Sequence, residues 1–256
     1  PLPTSPRLKT PSQFKLLGQA TPRLEAASKV DGSAVFGLDV RPEGLWFASV
    51  RMNPELGAPL QSFDAAKALQ MPGVQKVFAV DASKGSTAGV AVVALSTHQA
   101  MKALSQVRTV WGTGPAAAWS SASIAQHLAK ALDSNDVHTY FEHGDAPKAL
   151  KSAHKTVQAE YSAPLLAHAT LEPMNCTVHY TPDAQNGPRA SVWAPTQVPG
   201  LARYAAAQAL GLASAQVAMN VTLLGGGFGR RLEVDMVDEA VAIANDSPYG
   251  LQASVW

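Results

Sequence analysis

Val217-Ala218-Met219-Asn220-Val221-Thr222-Leu223-Leu224-Gly225-Gly226-Gly227-Phe228-Gly229-Arg230-Arg231-Leu232-Glu233 is the stretch on which the reading of this chain turns. The apolar and β-branched run over 217–224 predicts a strand. The glycine turn follows at once, and a helix is expected from about Leu232 to Ala244. Consecutive glycines let the main chain take positive φ and come close to a ligand. Amides in such a turn, with a helix start behind them, suit an anion such as phosphate or pyrophosphate. A tight strand-to-helix turn without any ligand has the same pattern. The dinucleotide spacing fails, because from Gly225 it puts Arg230 where the third glycine belongs, and no Gly-Lys-Ser/Thr follows to make a P-loop.

The flanking residues carry paired readings. Phe228, set among residues without side chains, could wall a pocket for a flat substrate or anchor the loop in the core. Arg230 and Arg231 could grip phosphate bidentately or form a solvated pair. A helix start does not favour cations, so an anionic partner makes better sense of them. Upstream, Trp193-Ala194-Pro195-Thr196-Gln197 ends an expected strand. Gln197 brings a neutral donor and acceptor that can bond a metal's oxo ligand without competing for the metal, and taken alone it is merely a polar residue at a strand end. His168, Glu172, Cys176 and His179 match no zinc spacing and read as structural residues.

Working outward, the proline-rich residues 1–24 predict an extended linker. Strands are expected at 35–40, 45–50, 75–80, 89–94 and 107–111. Two helices go with them, one over 65–70 capped by Asp64 and one from Thr97 to about Val107. After the Gly112–Pro115 loop come a helix from Ser120 or Ser121 to Leu132, then strands at 155–161, 175–180 and 190–194. Pro199 and Gly200 open an alanine-rich helix that Gly211 closes. Asp64–Ala68 and Asp145–Ala149 look like two similar helix starts.

The chain's 256 residues are 46% hydrophobic and carry a net charge of +1. That gives no electrostatic case for nucleic acid or an anionic membrane, and no apolar run is long enough to span a bilayer. One cysteine, Cys176, allows no internal disulfide and no four-cysteine cluster, so an iron–sulfur centre would have to sit on another chain. Pro1 and the apolar final stretch read as cuts from a longer polypeptide, and the compartment, bacterial cytoplasm or periplasm, stays open.

Several segments, in order, resemble the molybdopterin-binding large subunits of the xanthine dehydrogenase and aldehyde oxidase family, most of all the isoquinoline 1-oxidoreductase beta branch. They are Lys29–Gly37, Ser62–Ala65 with Pro72-Gly73-Val74, Ala167–Cys176, Trp193–Gln197 and Gly225–Glu233. The resemblance implies an α+β chain: an α/β hammerhead domain over 25–115, then part of a mixed α/β molybdopterin-binding domain over 116–244. It implies hydroxylation of an N-heteroaromatic or an aldehyde with oxygen taken from water. It implies a molybdenum cofactor, in this branch the cytosine dinucleotide form, and electrons leaving to a small [2Fe-2S] partner subunit. Gln197 matches the glutamine that bonds a metal oxo group, Phe228 the ring at the substrate pocket, and Gly226, Gly227, Gly229 and Arg230 the cofactor loop. Arg230-Arg231 depart from the xanthine enzymes and agree with the isoquinoline branch. The family's glutamate base sits in a Gly-x-Gly-Glu string that does not occur here, so no catalytic residue is assigned and the piece alone is expected to be inactive. Residues 238–256 instead resemble a segment of aldehyde dehydrogenases. A nicotinamide-dependent aldehyde dehydrogenase piece and a non-catalytic interface domain are the alternative readings.

Overall fold

The continuous apolar run Gly89–Ala94 is buried at every position, as a strand covered on both faces must be. In the computed structural model, which describes residues 5–82, 87–182, 185, 187–245 and 251–255, it lies near one edge of a seven-stranded mixed sheet. In chain order the elements are α1 (Ala26–Asp31), β1 (Trp46–Met52), β2 (Leu60–Asp64), α2 (Ala66–Leu69), β3 (Val74–Val80), β4 (Gly89–Ala94), α3 (Thr97–Leu104) and β5 (Arg108–Trp111). Then come α4 (Ser121–Leu132), α5 (Ala146–Ser152), β6 (Met174–Thr181), β7 (Arg189–Ala194), α6 (Pro199–Leu210), β8 (Val217–Val221), α7 (Asp235–Asn245) and β9 (Leu251–Val255).

The sheet order is β3-β4-β1-β9-β6-β7-β8, and β2 and β5 form a separate antiparallel pair. β9 runs parallel to β1 and antiparallel to β6, and it stitches the N-terminal strands to the later ones. Residues 246–250 and Trp256, part of the stretch that resembles aldehyde dehydrogenases, lie outside the described residues.

Alternation sorts the two faces. Ala48, Val50, Cys176, Val178 and Val192 join Met236, Val237, Ala240, Val241 and Ala206 in one core under α6 and α7. Val90 and Val92 point the other way, into a smaller core with Ala68, Ala103, Leu104 and Val107. Caps follow the side-chain chemistry. Gly211 closes α6 in the left-handed conformation, and Asp145 accepts from the Lys148 amide at the start of α5. Asp64 accepts from the Ala66 amide, but α2 starts one residue later than expected, so its cap position is Ala65 and not Asp64. The cap of α3 is Ser96, whose hydroxyl takes the Gln99 amide, one residue before the expected Thr97.

Three expectations differ. Residues 35–40 are not a strand: Asp39 accepts the Phe36 amide and folds Gly37–Asp39 into a 3-10 turn, leaving one bridge from Phe36 to Leu223. Residues 155–161 are exposed and irregular, not a strand. The helix expected from Leu232 starts at Asp235, after a 3-10 turn at Arg230–Leu232.

Two hydroxyls on β1 and β6, Ser49 Oγ and Thr177 Oγ1, are buried without a hydrogen-bond partner. An unsatisfied buried hydroxyl costs about 1–3 kcal/mol. Thr177→Val, close in shape and lacking the hydroxyl, is expected to raise stability by about 1 kcal/mol, read as a higher urea midpoint at unchanged slope.

Candidate functional site

The glycine loop is built around a buried ion pair. Arg231 is fully buried, and Glu172, just ahead of β6, is 8% exposed. Arg231 Nη2 donates to Glu172 Oε2 at 3.1 Å and to the Glu172 carbonyl at 2.8 Å. Its Nε donates to the Gly226 carbonyl at 2.7 Å, and Nη1 reaches the Pro195 carbonyl at 3.4 Å. Burial pulls the Arg231 pKa down, opposed by the Glu172 charge. Guanidinium stays protonated through such a shift.

Glu172 spends its other lone pairs on the loop and its surroundings. Oε2 accepts the Gly225 amide at 2.9 Å, while Oε1 accepts Leu38 N at 3.2 Å and Asn175 Nδ2 at 3.0 Å. The main chain of Glu172 also bonds Gly225, N to O, at 3.0 Å. This contact requires glycine, because a Cβ on residue 225 would lie 2.3 Å from the Glu172 Cβ.

Gln197 completes the loop from the other side. Its main-chain N donates to the Arg231 carbonyl at 3.0 Å, and its Oε1 accepts the Gly229 amide at 3.1 Å. A Cβ on residue 227 would stand 2.7 Å from that oxygen, so Gly227 leaves the room Gln197 needs. With Oε1 accepting, the side-chain NH2 is the end left to donate. Among the described residues, that NH2 and the amides of Gly226, Gly227 and Phe228 take no partner. The loop therefore offers a set of donors without a matching acceptor, the composition of an anion or oxo site.

Phe228 is neither a core anchor nor at rest. Its φ is +53° and it is 73% exposed. A left-handed non-glycine residue costs on the order of 1 kcal/mol or more, and such strain concentrates at ligand sites. The ring lies against Gly226, and Thr170 and His168 flank Gly226 and Gly229 from the preceding segment.

The two arginines are not a solvated pair. Arg231 is structural, and Arg230 forks onto Asp235, with contacts of 2.9 and 2.5 Å, which raises its pKa. The site that the sequence assigned to Gln197, Gly226, Gly227, Phe228, Gly229 and Arg230 is thus one connected loop. The reading of Glu172 as a structural residue holds; sequence reasoning missed its partners Asn175 and Arg231 in that role, and Asp235 beside Arg230. The Glu-Pro-Met-Asn string at 172–175 was the available signal. The four tempting ligands do not converge, since among the described residues no group of three or more His, Cys, Asp or Glu is placed to hold a metal. Cys176 is fully buried, and burial pushes its thiol pKa up, which disqualifies it as the thiolate an aldehyde dehydrogenase needs. A cavity of about 890 Å³ lies elsewhere, lined from β3, α6 and α7, and none of the glycine-loop residues is among its lining residues.

One further carboxyl belongs to this neighbourhood. Glu239, 2% exposed, sits one turn after Asp235 with Oε2 unpartnered. Burial, then the Asp235 charge, pushes its pKa from the ordinary 4.5 up to about 8, against the pull of Arg230.

Residues 129–246 match the model of the molybdopterin cofactor-binding domain. The isoquinoline 1-oxidoreductase beta subunit of Brevundimonas diminuta is 28% identical over 244 residues, covering 92% of this chain and 30% of its own length. A protein named membrane-bound aldehyde dehydrogenase (pyrroloquinoline-quinone) of Gluconacetobacter polyoxogenes is also 28% identical, over 240 residues, with the same coverage. The crystal structure of quinoline 2-oxidoreductase from Pseudomonas putida 86 superimposes with a TM-score of 0.67 at 17% identity, over 93% of this chain and 34% of that one. The chain thus spans about 30% of the length of these curated relatives. The resemblance read from the ordered motifs holds. Among the described residues, no helix is long and apolar enough to cross a membrane.

Two predictions follow from the geometry. Arg231→Met leaves the Glu172 carboxylate buried without its counter-charge and should cost about 3–5 kcal/mol, whereas Arg231→Met with Glu172→Gln should recover much of that loss in a double-mutant cycle. Between pH 4.5 and about 8 the folded protein retains a proton on Glu239 that the unfolded chain gives up. Stability should therefore fall as pH rises through that window and level off above it, and Glu239→Gln should flatten this part of a urea-midpoint profile.

Proposed function

We propose that this chain, whose residues 129–246 belong to the molybdopterin cofactor-binding domain family, forms part of the cofactor cradle in the large subunit of a molybdenum hydroxylase. The observation that carries this reading is the donor set of the loop: the unbonded amides of Gly226, Gly227 and Phe228 beside the Gln197 NH2, held by Glu172 and Arg231. These residues fit a pterin cofactor with anionic and oxo groups. Close approach is open because the loop has no side chain at 226 and 227, and the donors are fixed before any ligand arrives. When bound, the cofactor supplies the redox and oxygen-transfer chemistry, with water as oxygen source, and the protein supplies position and electrostatics.

Each residue then has a task. The Gly226, Gly227 and Phe228 amides would hold the cofactor, with Gln197 kept in place by the Gly229 amide. The Gln197 NH2 would be the neutral donor offered to it, and Arg230, steadied by Asp235, would add a positive charge toward its anionic part. The exposed Phe228 ring forms one wall for a flat substrate, an N-heteroaromatic or an aldehyde. We read 25–115 as a hammerhead domain and 116–244 as the first part of the cofactor domain. The cofactor is expected in its cytosine dinucleotide form, and the electron acceptor is a small [2Fe-2S] subunit. The catalytic base lies on polypeptide that this sequence does not include, in line with relatives about three times as long.

Molybdenum analysis of the purified parent complex tests the assignment. Molybdenum near one per large subunit is expected, falling at least about tenfold in Gly227→Ala, whose new Cβ displaces Gln197, while circular dichroism stays unchanged. A parent complex without molybdenum sinks the reading. The 256-residue chain alone is expected to show no turnover.

A further inference from the structure

Among the described residues, two that are not glycine stand at positive φ: Ala169 at +49° and Phe228 at +53°. A Cβ disfavours that conformation, and such outliers concentrate where a ligand is gripped. The two belong to facing segments. Thr170 Cα and Cβ lie 3.3 and 3.4 Å from where a Cβ on Gly226 would stand, and the His168 ring lies 3.9 Å from where one on Gly229 would stand. Ala169 therefore turns the chain at the point where its neighbours on both sides meet the loop. Three residues on, Glu172 is locked to Arg231 and to the Gly225 amide, so the turn is pinned from that end.

The ring atoms of His168 nearest the loop are Cδ2 and Nε2, so the Nε2 edge is turned toward it. His168 is exposed, and neither its imidazole nor the Thr170 hydroxyl has a hydrogen-bond partner among the described residues. A histidine that holds a fold shows it in its bonds, and this one has none. What it and Thr170 face is a loop without side chains at 226, 227 and 229, whose free groups are donors.

We propose that His168 and Thr170 form the second side of the anion site, with His168 Nε2–H and the Thr170 hydroxyl donating to oxygens of a pyrophosphate-type group that the Gly226, Gly227 and Phe228 amides hold from the first side. The inference rests on the reading of the loop as a cofactor cradle and adds the residues opposite it. A pyrophosphate carries oxygens in several directions, so donors along one side leave others unbonded. Imidazole with its proton on Nε2 supplies one such donor, and a hydroxyl that can rotate supplies the next.

The probe is inorganic pyrophosphate, titrated by calorimetry into the 256-residue chain near neutral pH. Saturable one-to-one binding is expected. His168→Ala should weaken it about tenfold and Thr170→Val about threefold. His168→Gln, which keeps a side-chain N–H, should recover part of the loss, and the urea midpoint of each variant should stay at the wild-type value. The chain has seven histidines. In an NMR titration, the imidazole signal that is missing from His168→Gln should be the one that moves when pyrophosphate is added. Binding unchanged in His168→Ala, with the His168 signal still, overturns the inference and leaves the loop reading standing, since the amides alone then hold the anion. Lost affinity that goes with a lowered urea midpoint makes His168 structural and overturns it too. Absence of saturable binding by the wild type also overturns it, and molybdenum analysis of the parent complex decides separately whether the loop reading falls as well.

Discussion

The guanidinium of Arg231 and the carboxylate of Glu172 meet in a place that water does not reach, and the glycine loop has its shape because of it. Removing two charges from water is costly, and their attraction offsets that cost only when the remaining donors and lone pairs are also satisfied. Here they are. Arg231 gives hydrogen bonds to Gly226, Pro195 and Glu172, and Glu172 takes them from Gly225, Leu38 and Asn175. Four stretches distant in sequence, around 38, 172–175, 195–197 and 225–231, are tied at one point. An apolar pair could fill the same volume but could not bond five main-chain groups, so the ion pair is better understood as a device for specifying loop geometry than as a source of stability.

With its carbonyl of Gly226 and its amide of Gly225 spoken for, the loop presents mainly donors outward. Gly229 N is the exception, and it is used to turn Gln197 so that the NH2 end faces away from the loop. The same economy explains why the loop tolerates a left-handed Phe228. The residues on both sides are pinned, so the strain persists instead of relaxing, and the ring is held out over Gly226. Donors fixed in advance need no reorganisation when an anionic group arrives, which is the property a cofactor cradle requires.

How far this could be read from sequence follows from which information is local. The apolar run Gly89–Ala94, the Gly211 stop of α6 and the Asp145 cap of α5 are local facts, and each appears where its residues place it. The strand leading into a glycine turn was legible for the same reason. The Arg230-Arg231 pair was not, because two adjacent identical residues differ only in what lies around them: one turns inward to Glu172, the other toward Asp235. The stretch 35–40 has strand-like residues, yet Asp39 offers the Phe36 amide a nearer partner than any neighbouring strand. Local side-chain bonds and distant charges are the two things that periodicity does not encode.

The segment leading to the site shows what the loop still needs. From Trp119 to Leu171, apolar side chains such as Tyr140, Phe141, Tyr161, Leu165 and Leu171 stand 85–97% exposed. Burying a large apolar side chain is worth about 1.5–3 kcal/mol, so this segment leaves a sizeable hydrophobic contribution unused within the described residues. The segment ends beside the loop, with His168 and Thr170 against Gly229 and Gly226. The ion pair sets the donors, and enclosure supplies the low dielectric in which those donors act most strongly. The loop's order rests on Glu172 and Arg231, whose contacts all lie within this chain, so its donors hold their places before any ligand arrives.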